Sequence, residues 1–249
     1  MRSLAYVFSV EDRERLREEL VSLARTDTRV SGAALTGSAA LGREDQWSDI
    51  DLALCVDTDR AQVIADWTDR MYDEHEAVHH LEVSRGETVY RVFLLVSTLQ
   101  VDISFWSPAE FGASGPSFRL LFGTAAEPRA PVLQAGELIG MGWLYALHAR
   151  SSIARRRVWQ AEYMIHGMRD QVLALACLRH GVPAVQGRGM DSLPEEATAG
   201  LAQALVGSLD APELRRAFDA VTEALLIEIE RSDPVVANRL AGPLRELAG

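Results

Sequence analysis

The sequence predicts an α+β protein in which an N-terminal mixed β-sheet domain with flanking helices precedes a C-terminal all-α helical bundle. Runs rich in β-branched and aromatic residues occur in the first half, and each is short enough to be a strand. The second half instead has apolar residues at helical spacing. A passage rich in Pro, Gly and Ser follows Phe105 and separates the two patterns. We therefore predict two domains, residues 1–128 and 129–249.

The first domain is expected to contain a sheet of about five strands. Ser9 is suited to cap a first helix, because acidic residues follow it and leucines then recur at helical spacing. Turns of two or three residues separate the last three strand-like runs, which favours hairpins. The expected elements are, in order, a helix at 9–25, strands at 30–36 and 50–56, a helix from residue 57, and strands at 78–84, 88–96 and 99–105.

The second domain is expected to be a bundle of five helices. Each segment repeats apolar residues at intervals of three and four, which is typical of helices that pack on one another. Gly181 lies in a position that suits the C-terminal cap of a helix. The predicted helices are 133–156, 158–180, 194–206, 212–231 and 235–247.

The charge of the chain argues against several classes of function. The formal net charge is −11 and the pI is about 5.0, which disfavours a nucleic-acid partner bound through its phosphates. All 25 basic residues are arginine, since the sequence has no lysine. This excludes a covalent nucleotidyl-lysine mechanism. Contacts to a triphosphate must therefore come from arginine, backbone N–H groups, hydroxyls and metal ions.

The sequence favours a cytoplasmic protein without membrane association. It has no run of eighteen uncharged apolar residues, and Glu11 and Asp12 follow the N-terminus too soon for a signal-type apolar region. Cys55 and Cys177 lie inside apolar runs. We interpret them as small buried hydrophobic residues rather than as a disulfide or zinc ligands.

Three aspartates form the candidate catalytic and metal site. Asp49 and Asp51 open the second predicted strand, and residues two apart in a strand point to the same face. Two such carboxylates repel each other, and a divalent cation removes that repulsion. Asp102 lies on the polar face of the last predicted strand, so all three converge if the two strands are neighbours. Ligation by oxygen alone suits two Mg²⁺ ions, with Mn²⁺ as an alternative.

These residues carry a resemblance to a known family. The pair Gly37-Ser38, ten intervening residues, Asp49-Ile50-Asp51 and a later strand with Asp102 resemble the polymerase-β-type nucleotidyltransferase superfamily. The chain is most similar to the small-molecule antibiotic nucleotidyltransferases, which modify aminoglycosides or lincosamides and join such a domain to a helical bundle. The resemblance implies that Gly37 and Ser38 hold the triphosphate of ATP or another NTP. It also implies that Asp49 and Asp51 bind the metal ions and that Asp102 ligates, acts as general base, or does both.

Three further residues are candidates for nucleotide binding. Arg43 and Arg119 are the nearest arginines in sequence that can neutralise a triphosphate, although exposed arginines are common without such a role. Ser48 directly precedes Asp49. Its hydroxyl either contacts the metal site or merely initiates the strand.

The helical half supplies the candidate acceptor site. Trp159, Glu162 and Tyr163 are spaced to share one face of a helix. In one interpretation this face binds the acceptor, and Glu162 orients or deprotonates its hydroxyl as a further catalytic residue. In the other, which the pattern favours, the same face is an aromatic surface packed between helices.

The leading functional hypothesis is transfer of a nucleoside monophosphate, AMP from ATP, to a hydroxyl of a small molecule with release of pyrophosphate. The expected partners are the NTP and this acceptor, and the chain is expected to act as a monomer or homodimer. One alternative is an antitoxin-like nucleotidyltransferase that modifies a protein side chain. Another is a non-catalytic nucleotide-binding module, against which the presence of all three acids counts.

Overall fold

The computed structural model describes residues 8–113, 115, 117–128 and 133–248. The chain divides into two compact units, Met1–Pro131 and Val132–Gly249. The predicted division after residue 128 falls just before the boundary between them. Residues 129–132, with which the predicted second domain opens, lie outside the described residues, as do residues 1–7 at the N-terminus.

The first unit is a six-stranded mixed sheet with helices, so the predicted α+β fold is confirmed. The strands lie in the order β3-β4-β5-β2-β1-β6, and among the described strands only β2 and β5 pair in parallel. The elements are α1 (Val10–Thr26), β1 (Val30–Thr36), α2 (Gly37–Leu41), β2 (Ile50–Val56), α3 (Arg60–Glu74), β3 (Ala77–Arg85), β4 (Thr88–Leu95), β5 (Gln100–Trp106) and β6 (Phe118–Phe122).

The sixth strand was not expected from the sequence, which predicted about five. β6 has five residues and pairs antiparallel with β1 at the edge of the sheet. Its burial does not alternate along the chain, so it lacks the period of two that marks a half-buried strand. It is held by pairing with a distant strand, and no local pattern encodes that pairing.

One face of the sheet packs on α1 and α3. Leu16 and Leu20 of α1 and Trp67 and Met71 of α3 belong to the same buried cluster as alternate residues of the strands. Ser9 caps α1 as predicted. Its hydroxyl accepts a hydrogen bond from the Asp12 backbone at 3.1 Å, and the Asp12 carboxylate accepts one from the Ser9 backbone at 3.2 Å.

Asp27 joins the end of α1 to α3. Its carboxylate accepts hydrogen bonds from the Arg29 guanidinium at 2.9 Å and from the Trp67 indole at 3.1 Å. The side chain is only 14% exposed. The bonds from Arg29, followed by that from Trp67, outweigh the desolvation of the carboxylate and hold the pKa of Asp27 at about 2.

Replacing Asp27 with asparagine is expected to lower the free energy of unfolding at pH 7 by about 2 kcal/mol. Because the pKa of Asp27 is lower in the folded state, its carboxylate contributes fully above the ordinary value of 3.8. That contribution is lost as the pH falls toward about 2. Urea unfolding at pH 7 and pH 2.5 should therefore show a gap between wild type and Asp27→Asn that narrows in acid. A gap of equal size at both values would contradict this assignment.

The second unit is helical in its described part. Its α-helices are α4 (Ala135–Ala154), α5 (Val158–His180), α6 (Glu195–Thr198), α7 (Ala211–Ser232) and α8 (Pro234–Ala248). Ile165 and Met168 of α5 and Phe218 and Leu225 of α7 lie in its buried core. Gly181 ends α5 with a left-handed backbone, φ 68°, as the sequence predicted.

The predicted continuous helix at 194–206 is wrong. The structure has only the short α6 there, followed by a single 3₁₀ turn at Leu201–Ala204. Gly200 lies between them, and glycine costs about 1 kcal/mol relative to alanine inside a helix. Periodic apolar residues alone do not extend a helix through such a position. No described helix of either unit is long and apolar enough to cross a membrane.

Candidate active site

Three carboxylates meet at the start of two parallel strands. Asp51 on β2 lies in register with Asp102 on β5, and Asp49 immediately precedes β2. One oxygen atom from each carboxylate lies within 4.8 Å of the others, and all three residues are partly exposed. In the part of the chain that the structure describes, this is the only group of three or more acidic, histidine or cysteine residues arranged to hold a metal ion. The structure thus brings the three predicted acids together.

Burial of the intervening residues fixes which way the acids point. Ile50 and Leu52 on β2, and Val101 and Ile103 on β5, are at most 1% exposed and face the helices. Side chains alternate along a strand, so Asp51 and Asp102 lie on the opposite face of the sheet. The pairing of β2 with β5 therefore converts two separate sequence patterns into one site.

Gly37 leaves the space that the Asp51 carboxylate occupies. It begins α2 with φ +59°, a conformation that L side chains rarely adopt. A Cβ atom at this position would lie 1.9 Å from Oδ2 of Asp51. Glycine is thus required here for its backbone and for the room it gives to a carboxylate of the cluster.

Ser38 carries a buried hydroxyl that lacks a hydrogen-bond partner within the described residues. Most buried polar side-chain atoms are hydrogen-bonded, so such an atom calls for an explanation. Ser38 follows Gly37 directly, beside the carboxylate cluster. An oxygen atom of a bound ligand would satisfy this hydroxyl.

The residues present fit a divalent cation. The three side chains offer carboxylate oxygen only, which is the donor chemistry of Mg²⁺ and Mn²⁺ sites. Their partial exposure leaves room for water or phosphate oxygens to complete the coordination. The group Asp49, Asp51 and Asp102 is therefore chemically suited to hold such ions.

The loop that leads into Asp49 is anchored by a buried arginine. Arg13 of α1 is 2% exposed, and its Nη1 donates to the backbone carbonyls of Asp45 at 2.5 Å and Ser48 at 3.2 Å. Its Nε lies 3.5 Å from the Glu44 carboxylate. The sequence does give a signal for this role, because Arg13 occupies a position of the buried stripe of α1 that Leu16 and Leu20 continue.

The hydroxyl of Ser48 contacts Asp45 within the same loop. It donates to the Asp45 carboxylate at 3.1 Å and accepts from the Asp45 backbone N–H at 2.9 Å. Trp47, between them, is 74% exposed. The loop is thus held by its own hydrogen bonds immediately before Asp49.

Gln100 is a residue of the site that sequence reasoning missed. Its Nε2 donates to Oδ2 of Asp49 at 3.2 Å and to Oδ1 of Asp102 at 3.1 Å. The signal was available, since Gln100 lies two residues before Asp102 on the polar side of the same strand. In the sequence alone, however, a glutamine at this position has the same pattern as an ordinary exposed strand residue.

The comparison with known families agrees with this geometry. Residues 13–119 match a family model described as a nucleotidyltransferase domain. Residues 13–119 form a nucleotidyltransferase domain. The predicted enzyme class, a nucleotidyltransferase, is thereby confirmed. The matched segment contains Gly37, Ser38 and the three acids of the cluster.

Two solved structures align with this chain over most of its length. An aminoglycoside 6-adenyltransferase from Bacillus subtilis shares 10% sequence identity at a TM-score of 0.43, covering 97% of this chain and 99% of that one. A nucleotidyltransferase-like protein from Exiguobacterium sibiricum 255-15 shares 14% identity at a TM-score of 0.33, covering 88% and 76%. Since both TM-scores are below 0.5, the assignment rests on the domain match. No curated protein matches the chain.

The two candidate arginines of the nucleotidyltransferase domain lie in different places. Arg43 is exposed, and its backbone N–H donates to the Ser38 carbonyl at 3.0 Å, so it is close to the start of α2. Arg119 lies on β6 opposite Leu35, whose side chain is buried on the α1 side of the sheet. The register therefore puts Arg119 on the face opposite the acids. Its face could not be assigned from the sequence, because β6 was not predicted.

The candidate acceptor residues lie on α5 of the helical unit. Trp159 is 74% exposed and Tyr163 is 62% exposed, and Glu162 is partly exposed. The interpretation of this face as an aromatic surface packed between helices is therefore wrong. Exposed aromatic rings four residues apart leave a surface available to a ligand.

Proposed function

We propose that this nucleotidyltransferase moves a nucleoside monophosphate, AMP from ATP, to a hydroxyl of a small molecule in a metal-dependent reaction that releases pyrophosphate. The observation that carries the proposal is the cluster of Asp49, Asp51 and Asp102, whose carboxylate oxygens lie within 4.8 Å of one another. The match of residues 13–119 to a nucleotidyltransferase domain supports it.

The three aspartates would hold two Mg²⁺ ions, or Mn²⁺ in their place. Bound in such a site, the ions supply charge stabilisation to the entering and leaving oxygens at the α-phosphorus. Gly37 keeps the Asp51 carboxylate in the cluster by leaving its space open. The Ser38 hydroxyl would donate to a phosphate oxygen, and the guanidinium of Arg43 would neutralise part of the triphosphate charge.

The residues of the chain would then orient the reactants and accept one proton. The acceptor oxygen bonds to the α-phosphorus while the bond from that phosphorus to the oxygen bridging it to the β-phosphate breaks, and pyrophosphate leaves. The proton of the acceptor hydroxyl passes to a carboxylate, for which Asp102 is the candidate within the nucleotidyltransferase domain. The chain has no lysine, so the reaction cannot pass through a nucleotidyl-lysine intermediate and the transfer is direct.

The acceptor that we propose is a small cationic molecule such as an aminoglycoside, or an amine-bearing lincosamide. A carboxylate-lined site in a chain of net charge −11 favours a positively charged ligand. Trp159, Glu162 and Tyr163 would contribute contacts to it. The resemblance of the motif to antibiotic nucleotidyltransferases supports the same choice.

The direct test is product analysis by mass spectrometry. The full chain is incubated with Mg²⁺, each of the four NTPs and a panel of aminoglycosides and lincosamides. We expect one acceptor to gain the mass of a nucleoside monophosphate less one water, with equimolar pyrophosphate, and no product with Asp49→Ala/Asp51→Ala. Asp69→Ala/Asp73→Ala is the matched control, because it removes the same charge from exposed positions of α3.

Two other outcomes would replace this proposal. Labelling of a protein in place of every small molecule would indicate the antitoxin-like activity. Metal-dependent NTP binding without transfer to any acceptor would indicate a nucleotide-binding module. Absence of both product and metal-dependent binding would refute the enzymatic proposal.

A further inference from the structure

Gln100 bridges two members of the carboxylate cluster. Its side-chain amide donates to Asp49 at 3.2 Å and to Asp102 at 3.1 Å. A side-chain amide nitrogen has two N–H donors, so each carboxylate receives one of them. The opposite orientation of the amide would aim its carbonyl oxygen at two carboxylates, which fixes the nitrogen toward the cluster.

The hydrogen bonds from Gln100 include one to Asp49, which is the one acid of the cluster that lies outside a strand. The ladder between β2 and β5 begins with the pair Ile50 and Val101 and continues through Asp51 and Asp102. Asp49 therefore precedes the paired segment, whereas Gln100 belongs to β5 and pairs with Leu94 of β4. A hydrogen bond from this strand residue ties Asp49 to the sheet.

The chemistry of the amide matters as much as its position. Glutamine is neutral, so it donates hydrogen bonds to the acids without bringing a positive charge that would compete with a cation. Groups that orient metal-binding side chains through hydrogen bonds commonly tune metal affinity. A neutral donor is suited to hold two carboxylates near each other before an ion binds.

We infer that Gln100 is a positioning residue whose amide holds Asp49 and Asp102 at the spacing required for divalent-cation binding. The inference rests on the proposed metal-dependent function. It assigns Gln100 an effect on metal affinity and no direct contact with the reacting atoms.

The test is Mn²⁺ binding to the full chain in the absence of nucleotide, measured by electron paramagnetic resonance of the free ion. Wild type, Gln100→Leu and Gln62→Leu are compared. Gln62 is the matched control, because it is also an exposed glutamine whose amide donates to a carboxylate, Asp66 at 2.7 Å, but on α3. We expect Gln100→Leu to weaken Mn²⁺ binding about 10- to 100-fold and Gln62→Leu to leave it unchanged.

A kinetic readout separates positioning from a general structural role. Once an acceptor molecule has been identified, the rate of nucleotidyl transfer can be measured as a function of Mg²⁺ concentration. Gln100→Leu should raise the Mg²⁺ concentration needed for half-maximal rate, while kcat at saturating Mg²⁺ stays within about threefold of wild type. Because Gln100 is exposed, the variant should keep the wild-type thermal unfolding midpoint. A lower midpoint together with lost affinity would instead indicate damage to the fold and would overturn the inference.

The remaining outcomes distinguish this inference from the function on which it rests. If wild type binds Mn²⁺, Asp51→Asn abolishes binding and Gln100→Leu binds like wild type, the role of Gln100 is refuted and the metal site stands. If wild type binds no Mn²⁺ at millimolar concentration, the proposed metal dependence and the role of Gln100 both fail.

Discussion

Replacing Gly37 with alanine is expected to reduce kcat/KM for nucleotidyl transfer by at least about 100-fold. The new Cβ would lie 1.9 Å from Oδ2 of Asp51 and 2.8 Å from its Cγ, so the carboxylate must leave its position in the cluster. Displacing a metal ligand by an ångström or more misaligns the reacting atoms as well as weakening the ion. Steady-state kinetics with the acceptor, together with Mn²⁺ titration, measure both effects.

Gly42→Ala separates this clash from backbone strain. Gly42 also has a left-handed backbone, φ +63°, but an added Cβ there meets nothing within 4 Å. Both variants carry the left-handed penalty of about 1 to 2 kcal/mol for a side chain. Only Gly37→Ala should lose metal binding and activity. Equal activity of the two variants would show that Asp51 does not need the space at Gly37.

Replacing Arg13 with methionine is expected to lower the free energy of unfolding by about 3 kcal/mol. The substitution leaves the partly buried Glu44 carboxylate without one of its cations and removes the donor to the carbonyls of Asp45 and Ser48. Loss of a partner from a buried charge pair is costly, because the remaining polar groups stay desolvated. Chemical denaturation measures the stability, and Mn²⁺ titration measures the effect on the loop before Asp49.

Arg15→Met provides the control for this substitution. Arg15 lies on the same helix and pairs with Asp12, but its side chain is 66% exposed. Exposed pairs of this kind contribute at most about 1 kcal/mol. We expect Arg15→Met to change stability by no more than that and to leave Mn²⁺ binding intact. If Arg13→Met were as mild as Arg15→Met, Arg13 would not anchor the loop.

Features encoded by local patterns were predictable from the sequence. Strict alternation of apolar and polar residues around Asp102 located its strand and the face on which it lies. Ser9, as the capping residue, located the start of α1. The sequence alone predicts that Asp49 and Asp51 lie together, because they are two residues apart, and it leaves Asp102 as a separate acid. Their convergence with Asp102 depended on the parallel pairing of β2 and β5, which the sequence left conditional.

Features that depend on distant contacts were not predictable in this way. β6 is a short edge strand held by β1. Because this strand was not predicted, the face of the sheet on which Arg119 lies could not be predicted either. Arg13 donates to the carbonyls of Asp45 and Ser48, which are 32 and 35 residues away in the chain, and Gln100 reaches Asp49, which is 51 residues away. The exposure of Trp159 likewise depends on which neighbouring elements cover its helix. Helical spacing predicts that Trp159 and Tyr163 share a face, but it does not predict whether that face is covered.

The central claim is that the three aspartates create a metal-dependent nucleotide site, and nucleotide binding tests it without knowledge of the acceptor. Isothermal titration calorimetry would use an ATP analogue in which a methylene replaces the oxygen between the α- and β-phosphorus. We predict binding by wild type in Mg²⁺, at least tenfold weaker binding in EDTA, and equally weak binding by Asp51→Asn in Mg²⁺. Binding that is the same with and without Mg²⁺, and the same in Asp51→Asn, would contradict the claim.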